Sequence, residues 1–268
     1  VSGPRRDAAF ILLALMLAAG PAPGEDAKDK QDKQEKPTPQ PPRVAFILPF
    51  AVAAGKTALV KIRGQNLTNV TEVRFTNTAS PATLTLKSKE KVEVPKDAEA
   101  KKAGDAVVTV ELLFPAASTV TTNWLVVTNP EGVSDPKPLL VVPEDALVEE
   151  KEPNGGWKAA QRIQIGQTVA GGIKEPGDVD VFRFSGKRGQ RIELEVMASR
   201  WGSMLDSAVT LFDNAGHMLA TADDGPEGAD SVLSCTLPAD GDYYASLIDA
   251  QDKGGTGYVY LLRLSERH

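Results

Sequence analysis

The sequence predicts an all-β protein built from two β-sandwich modules. Three observations predict it. From Pro42 onward apolar and polar residues alternate with the strand period of two, not the helical 3.6. Turn chemistry punctuates those runs, as in Asn129-Pro130-Glu131-Gly132 and Asp213-Asn214-Ala215-Gly216. The 268 residues include 19 prolines and 23 glycines, which suits a turn-rich β protein and is too aperiodic for collagen-like sequence. A chain of this length holds one or two domains.

Residues 1–24 read as a signal peptide. Arg5 and Arg6 supply the charged region and residues 8–19 (AAFILLALMLAA) the apolar one. That run falls short of the roughly 20 residues a spanning helix needs. Small residues Gly20, Ala22 and Gly24 follow. Export is therefore expected, to the periplasm, the cell surface or the medium, with no membrane span after signal cleavage. The alternative is an uncleaved anchor. Residues 25–42 (EDAKDKQDKQEKPTPQPP) contain almost nothing apolar and read as a disordered spacer.

Residues 43–145 form the first module. In 57–64 (TALVKIRG), Ala58, Val60 and Ile62 share one face of a strand. Further strands are expected over 43–48, 72–76, 82–86, 106–114, 123–128 and 138–142. About seven short strands in roughly 100 residues make a small sandwich. The stretch 95–104 (PKDAEAKKAG) reads as a helical or loop-like surface excursion. The run Pro49…Ala54-Gly55-Lys56-Thr57…Val60…Ile62…Gly64-Gln65-Asn66-Leu67…Val73-Arg74-Phe75 resembles the opening of IPT/TIG domains, immunoglobulin-like modules of bacterial surface proteins and some receptors. That resemblance implies a spacer or binding module and brings no catalytic residues.

Residues 143–148 form the junction, and composition shifts there. Residues 149–268 carry 19 acidic and 12 basic side chains, whereas 1–148 carry 17 and 18. The chain's net charge of −6 thus resides in the second module, which should attract cations and repel polyanions. Its strands alternate strongly. Ile192, Leu194 and Val196 oppose Arg191, Glu193 and Glu195; Leu233, Cys235 and Leu237 share a face, as do Tyr243, Ala245 and Leu247, and Tyr258, Tyr260, Leu262 and Leu264. About eight strands with hairpin turns predict a jelly-roll-like sandwich.

This module resembles the bacterial pre-peptidase C-terminal domain, related to the collagen-binding domains of secreted collagenases. The residues that carry the resemblance are Glu150-Lys151-Glu152-Pro153-Asn154, Gly177-Asp178-Val179-Asp180-Val181-Phe182-Arg183-Phe184, Gly202-Ser203…Leu205-Asp206-Ser207, Asp223-Asp224 and Gly241-Asp242-Tyr243-Tyr244.

Several function classes are excluded or disfavoured. A pI near 5.1 argues against a nucleic-acid partner. One cysteine, Cys235, excludes an intramolecular disulfide framework and a multi-cysteine zinc site. The two histidines are His217, beside a hairpin turn, and His268, at the end of the chain. The motifs G-x-S-x-G, H-E-x-x-H and G-x-x-x-x-G-K-[ST] do not occur.

The sharpest constellation is a calcium site. Glu150, Glu152 and Asn154 stand at i, i+2 and i+4, so extended backbone presents them on one side; Asp178 and Asp180 do the same before a strand. Such oxygens suit calcium, which takes about 6–8 of them at about 2.3–2.6 Å. A cation would relieve the like charge and fasten the incoming linker to the sandwich. The same spacing fits solvated linker charges and a β-turn bounded by Asp178 and Asp180, and both readings stand at this point. The family resemblance adds that in collagen-binding domains the equivalent Glu-x-Glu-x-Asn and Asp-x-Asp residues resemble the calcium-ligating set. There an acidic residue or Asn often follows the Asn; here it is Gly155, so one ligand of that pattern lacks a counterpart.

Asp206, Asp213, Asp223, Asp224 and Asp230 form a second acidic group around the hairpin. Asp213 is expected to serve its turn, and a second cation site or a paired-carboxylate hydrolase are the alternatives. Trp201 and Tyr244 are surface-platform candidates set against plain packing. The resulting expectation is an exported, non-catalytic binding, adhesion or spacer protein with structural Ca2+. Its expected partner is an extracellular polymer or protein surface, with the oligomeric state open. The alternative is an accessory or truncated part of a larger secreted hydrolase.

Overall fold

A computed structural model describes residues 39–77, 80–94, 104–226 and 228–267. The signal peptide, most of the spacer, most of the 95–104 excursion and His268 lie outside the described residues. Within them the chain is all-β, as its alternation predicts, and forms four sheets.

The first half holds β1 (Arg43–Leu48), β2 (Ala51–Ala53), β3 (Thr57–Gln65), β4 (Glu72–Phe75), β5 (Thr83–Lys91), β6 (Ala106–Leu113), β7 (Thr121–Asn129), β8 (Gly132–Val133) and β9 (Lys137–Val142). One sheet runs β1-β3-β6-β5 and the other β2-β9-β7-β4, with β8 paired to β7. Val60, Ile62, Val108, Val110, Leu125, Val127, Leu139 and Val141 fill the space between them. β5 runs five residues past the expected end at Leu86 because it is an edge strand paired with β6 alone. Its Ser88-Lys89-Glu90-Lys91 end buries nothing large, so the hydrophobic pattern is silent there.

The second half holds β10 (Leu147–Glu149), β11 (Gln161–Arg162), β12 (Thr168–Gly172), β13 (Asp180–Gly186), β14 (Arg191–Met197), β15 (Ser207–Asp213), β16 (Met218–Ala222), β17 (Val232–Thr236), β18 (Gly241–Asp249) and β19 (Val259–Glu266). They form sheets β10-β12-β19-β14-β17 and β11-β13-β18-β15-β16. Phe182, Phe184, Ile192, Leu194, Val196, Val209, Leu211, Leu247, Leu262 and Leu264 interdigitate between the sheets. Cys235 packs half-buried against this core, and burial pushes its thiol up.

A smaller apolar cluster joins the halves. Phe50, Ala51, Leu140 and Val142 meet Met197, Trp201 and Leu261. Trp201 sits in a 3-10 turn, Ser199–Trp201, is buried, and meets Phe50 edge-on at 5.7 Å. It packs in this cluster instead of forming an exposed platform. The turn closes on Gly202 at φ +100, where a Cβ would lie 2.8 Å from the Ala45 carbonyl oxygen, so glycine alone admits β1 this closely.

Candidate metal centre

The site begins with β13. Phe182 and Phe184 point into the core, and Asp180, two residues before Phe182, shares their face. A carboxylate is thereby carried inward and is fully buried. On the opposite sheet the inward face of β19 presents Tyr260, also buried, whose hydroxyl donates to Asp180 Oδ2 at 2.6 Å.

The segment leaving β10 supplies the other groups. The Glu150 N–H donates to the Ala170 carbonyl at 3.0 Å, which continues the pairing of β10 with β12. The Glu150 side chain, 4% exposed, accepts from the Gly172 N–H at 2.9 Å and from Asn154 Nδ2 at 3.1 Å. Glu152 accepts from the Asn154 N–H at 3.0 Å, and the Asn154 carbonyl accepts from the Val181 N–H at 3.2 Å. These bonds fold residues 150–154 back over the start of β13.

Carboxylate oxygens of Glu150, Glu152 and Asp180 consequently lie within 4.8 Å of one another. Asn154, fully buried, stands among them. Two buried oxygens here have no hydrogen-bond partner among the described residues: Asn154 Oδ1 and Asp180 Oδ1. Leaving such atoms unpaired is costly. Burial and the facing Glu150 push the Asp180 carboxyl up to about 8, against the opposing effect of the Tyr260 bond. Burial, with the Asp180 and Glu150 charges, pushes the Tyr260 hydroxyl well above its ordinary value, so it remains a donor. Lys174 Nζ reaches the rim, 3.1 Å from Glu152 and 3.8 Å from Glu150. A carboxylate-rich, all-oxygen set with unpartnered oxygens fits a hard cation such as calcium.

The structure brings four of the five expected ligands together. Asp178 occupies the turn before β13, where it accepts from the Lys174 N–H at 2.7 Å. From there its charge helps raise Asp180. A Cβ at Gly155 would come 3.3 Å from the Val179 carbonyl oxygen, a tight approach for any residue with a ligand side chain. Tyr260, Gly171 and Lys174 escaped the sequence reading. The signal for Tyr260 was a tyrosine on an otherwise core-facing strand, since a buried hydroxyl requires a partner. Gly171 pairs with Tyr260 across the sheet, and a Cβ there would fall 2.6 Å from the Tyr260 hydroxyl oxygen and 2.9 Å from Glu150 Oε2.

The second acidic group does not converge. Asp213 Oδ1 accepts from the Ala215 and His217 N–H groups at 2.9 Å, which is the turn role its spacing predicts. His217 is exposed, with Nδ1 3.0 Å from Asp213 Oδ2. Asp230, buried, accepts from the Ala198 and Ser199 N–H groups at 3.1 and 2.6 Å and lies 3.4 Å from Arg200 Nε. Asp206 accepts from Gln251 Nε2 at 2.9 Å, and Asp223 and Asp224 are exposed. Elsewhere, Trp157 meets Tyr244 and Phe212 at ring distances of 4.5 and 5.0 Å on an outer sheet face.

Comparison with known proteins finds partial likenesses to this module. Residues 178–248 match the family model of the bacterial pre-peptidase C-terminal domain. Over 100 residues the chain is 41% identical to a probable subtilase-type serine protease of Deinococcus radiodurans, a match spanning 36% of this chain and 14% of that protein. Among solved structures it is similar to the pre-peptidase C-terminal domain of a Bacillus anthracis collagenase, at 17% identity and a TM-score of 0.34, covering 43% of this chain and all of that one. It is also similar to a periplasmic inhibitor of g-type lysozyme from Salmonella Typhimurium, at 16% identity and a TM-score of 0.28, covering 40% of this chain and 99% of that one. Among the described residues no helix is long and apolar enough to cross a membrane.

Proposed function

We propose that this chain is an exported, non-catalytic accessory protein whose second module is fastened by a structural calcium ion. One observation carries the reading: Asn154 Oδ1 and Asp180 Oδ1 are buried without hydrogen-bond partners beside a cluster of three carboxylates. Glu150, Glu152, Asn154 and Asp180 would hold the ion, with Asp178 supporting it by charge. The ion's contribution is electrostatic. It offsets carboxylates crowded at the mouth of the core and ties residues 150–154 to β13. The first module is read as an IPT/TIG-like spacer that sets this domain away from its point of attachment.

The match to a pre-peptidase C-terminal family and the partial match to a probable subtilase-type serine protease support the accessory role. They equally favour the second reading, a docking segment of a larger hydrolase acting on an extracellular polymer or protein. Terbium luminescence tests the calcium site, because terbium replaces calcium and is excited by nearby aromatic rings. The expected result is sensitised emission that calcium displaces and that Tyr260→Phe weakens. Absence of sensitised emission, together with thermal midpoints indifferent to calcium, would overturn the proposal.

A further inference from the structure

Between the halves lies a cleft of about 410 Å³, lined by Thr122, Trp124 and Leu140 from one side and Glu195, Met197, Arg200, Trp201 and Arg263 from the other. Its origin is geometric. Thr122 pairs with Leu140 across β7 and β9, and Glu195 with Arg263 across β14 and β19. Both pairs lie on outward sheet faces. Leu140, Met197 and Trp201 also belong to the apolar Phe50–Trp201 cluster, whereas Thr122, Glu195, Arg200 and Arg263 give the cleft polar walls. A volume of this size is in the range of small-ligand sites.

We propose that this cleft binds a neutral oligosaccharide, a reading independent of the calcium site. Three features select that chemistry. The Trp124 side chain lines the cleft and is 48% exposed. An indole face at a cleft mouth suits the flat C–H face of a pyranose ring, which meets the electron-rich side of the aromatic system.

The charged groups are mutually committed. Arg200 is 2.6 Å from Glu195 and 3.4 Å from Asp230, and Arg263 bonds the other Glu195 oxygen. Each guanidinium is thus paired with carboxylate, and no bare positive charge is offered to a phosphate, sulfate or uronate. What remains is a fixed array of donors and acceptors beside a hydrophobic plate, with the Thr122 hydroxyl opposite. Hydroxyl groups, which donate and accept, match such an array without needing net charge.

An extended peptide is disfavoured by topology. β7 is flanked by β9 and β4, β14 by β19 and β17, and β19 by β12 and β14. The floor is therefore sheet face with no open strand edge for a peptide backbone to join.

The test is calorimetric titration of the whole chain with hexasaccharides of glucose, xylose, mannose and N-acetylglucosamine, with hexagalacturonate and soluble gelatin as the charged and peptide probes. At least one neutral hexasaccharide is expected to bind. Trp124→Ala should weaken it at least tenfold with an unchanged unfolding midpoint, while Trp124→Phe retains most of it. Binding should persist in EDTA and in Asp180→Asn, which separates this site from the calcium reading. Failure of every neutral glycan at millimolar concentration, preference for hexagalacturonate or gelatin, or indifference to Trp124→Ala would each overturn it.

Discussion

Two acidic groups in the same module have opposite fates. Around Asp230 and Asp213 the carboxylates are hydrogen-bonded by backbone N–H groups: Asp230 ties down the Ser199–Trp201 turn, and Asp213 ties down its hairpin. Around Asp180 the carboxylates face one another, and two buried oxygens stay unpartnered. The two groups hold similar numbers of acids, four and five. Where the donors lie separates them. Asp230 and Asp213 are each served by two or more backbone N–H groups, whereas Asp180 meets a tyrosine hydroxyl and neighbouring carboxylates, the gap that the proposed cation would fill.

That contrast predicts calcium-independent damage at one group and calcium-dependent behaviour at the other. The largest effect is expected for Asp230→Asn. Weakening a buried acceptor that also pairs with Arg200 should cost about 3 kcal/mol, equally in calcium and in EDTA. Denaturant unfolding in both buffers checks this, and a loss confined to calcium buffer would erase the distinction between the groups.

Next comes the ion itself. At 100-fold excess over Kd, calcium should add about 2.7 kcal/mol of stability. Asp180→Asn should abolish that gain while leaving the EDTA midpoint at pH 8 equal to or above that of the unmodified chain, because a costly buried charge is gone. A mutant destabilised in EDTA would show the carboxylate to be structurally satisfied without metal.

The pH response follows with its sign. A carboxyl raised on folding holds its proton in the native state while the unfolded state releases it. In EDTA, stability should therefore fall as pH rises from about 4, where the unfolded carboxyl titrates, to about 8, where the folded one does. Calcium should flatten this fall, since ion binding stabilises the charged form. Midpoints recorded across that range, with and without calcium, decide it. The smallest effect belongs to Asp213→Asn: its exposed turn retains an oxygen acceptor, so its midpoint should barely move in either buffer.

Much of the fold was legible in the sequence because period-two alternation reports directly on a two-faced sheet. Ile192, Leu194 and Val196 are all fully buried, and the Asp213–Gly216 turn joins β15 to β16. Strands escaped where burial was slight or brief, as in the polar end of β5 and the two-residue β11. At the site, the strand period explains why Asp180 shares the face of Phe182, and Glu150, Glu152 and Asn154, spaced i, i+2 and i+4, lie on the segment that meets it. Asp178 shows the limit: it precedes β13, outside the strand alternation, and its carboxylate accepts from the Lys174 N–H. Tyr260 and Gly171 lie on strands distant in sequence, and only the pairing of β12 with β19 reveals what they share.

The most direct test is calorimetric titration of EDTA-stripped protein with calcium near pH 7, run in two buffers of different ionisation heat. One ion per chain is expected, with a buffer-dependent heat that reports the proton displaced from Asp180, and loss of binding in Asp180→Asn. No heat at millimolar calcium, or binding that survives Asp180→Asn unchanged, would contradict it.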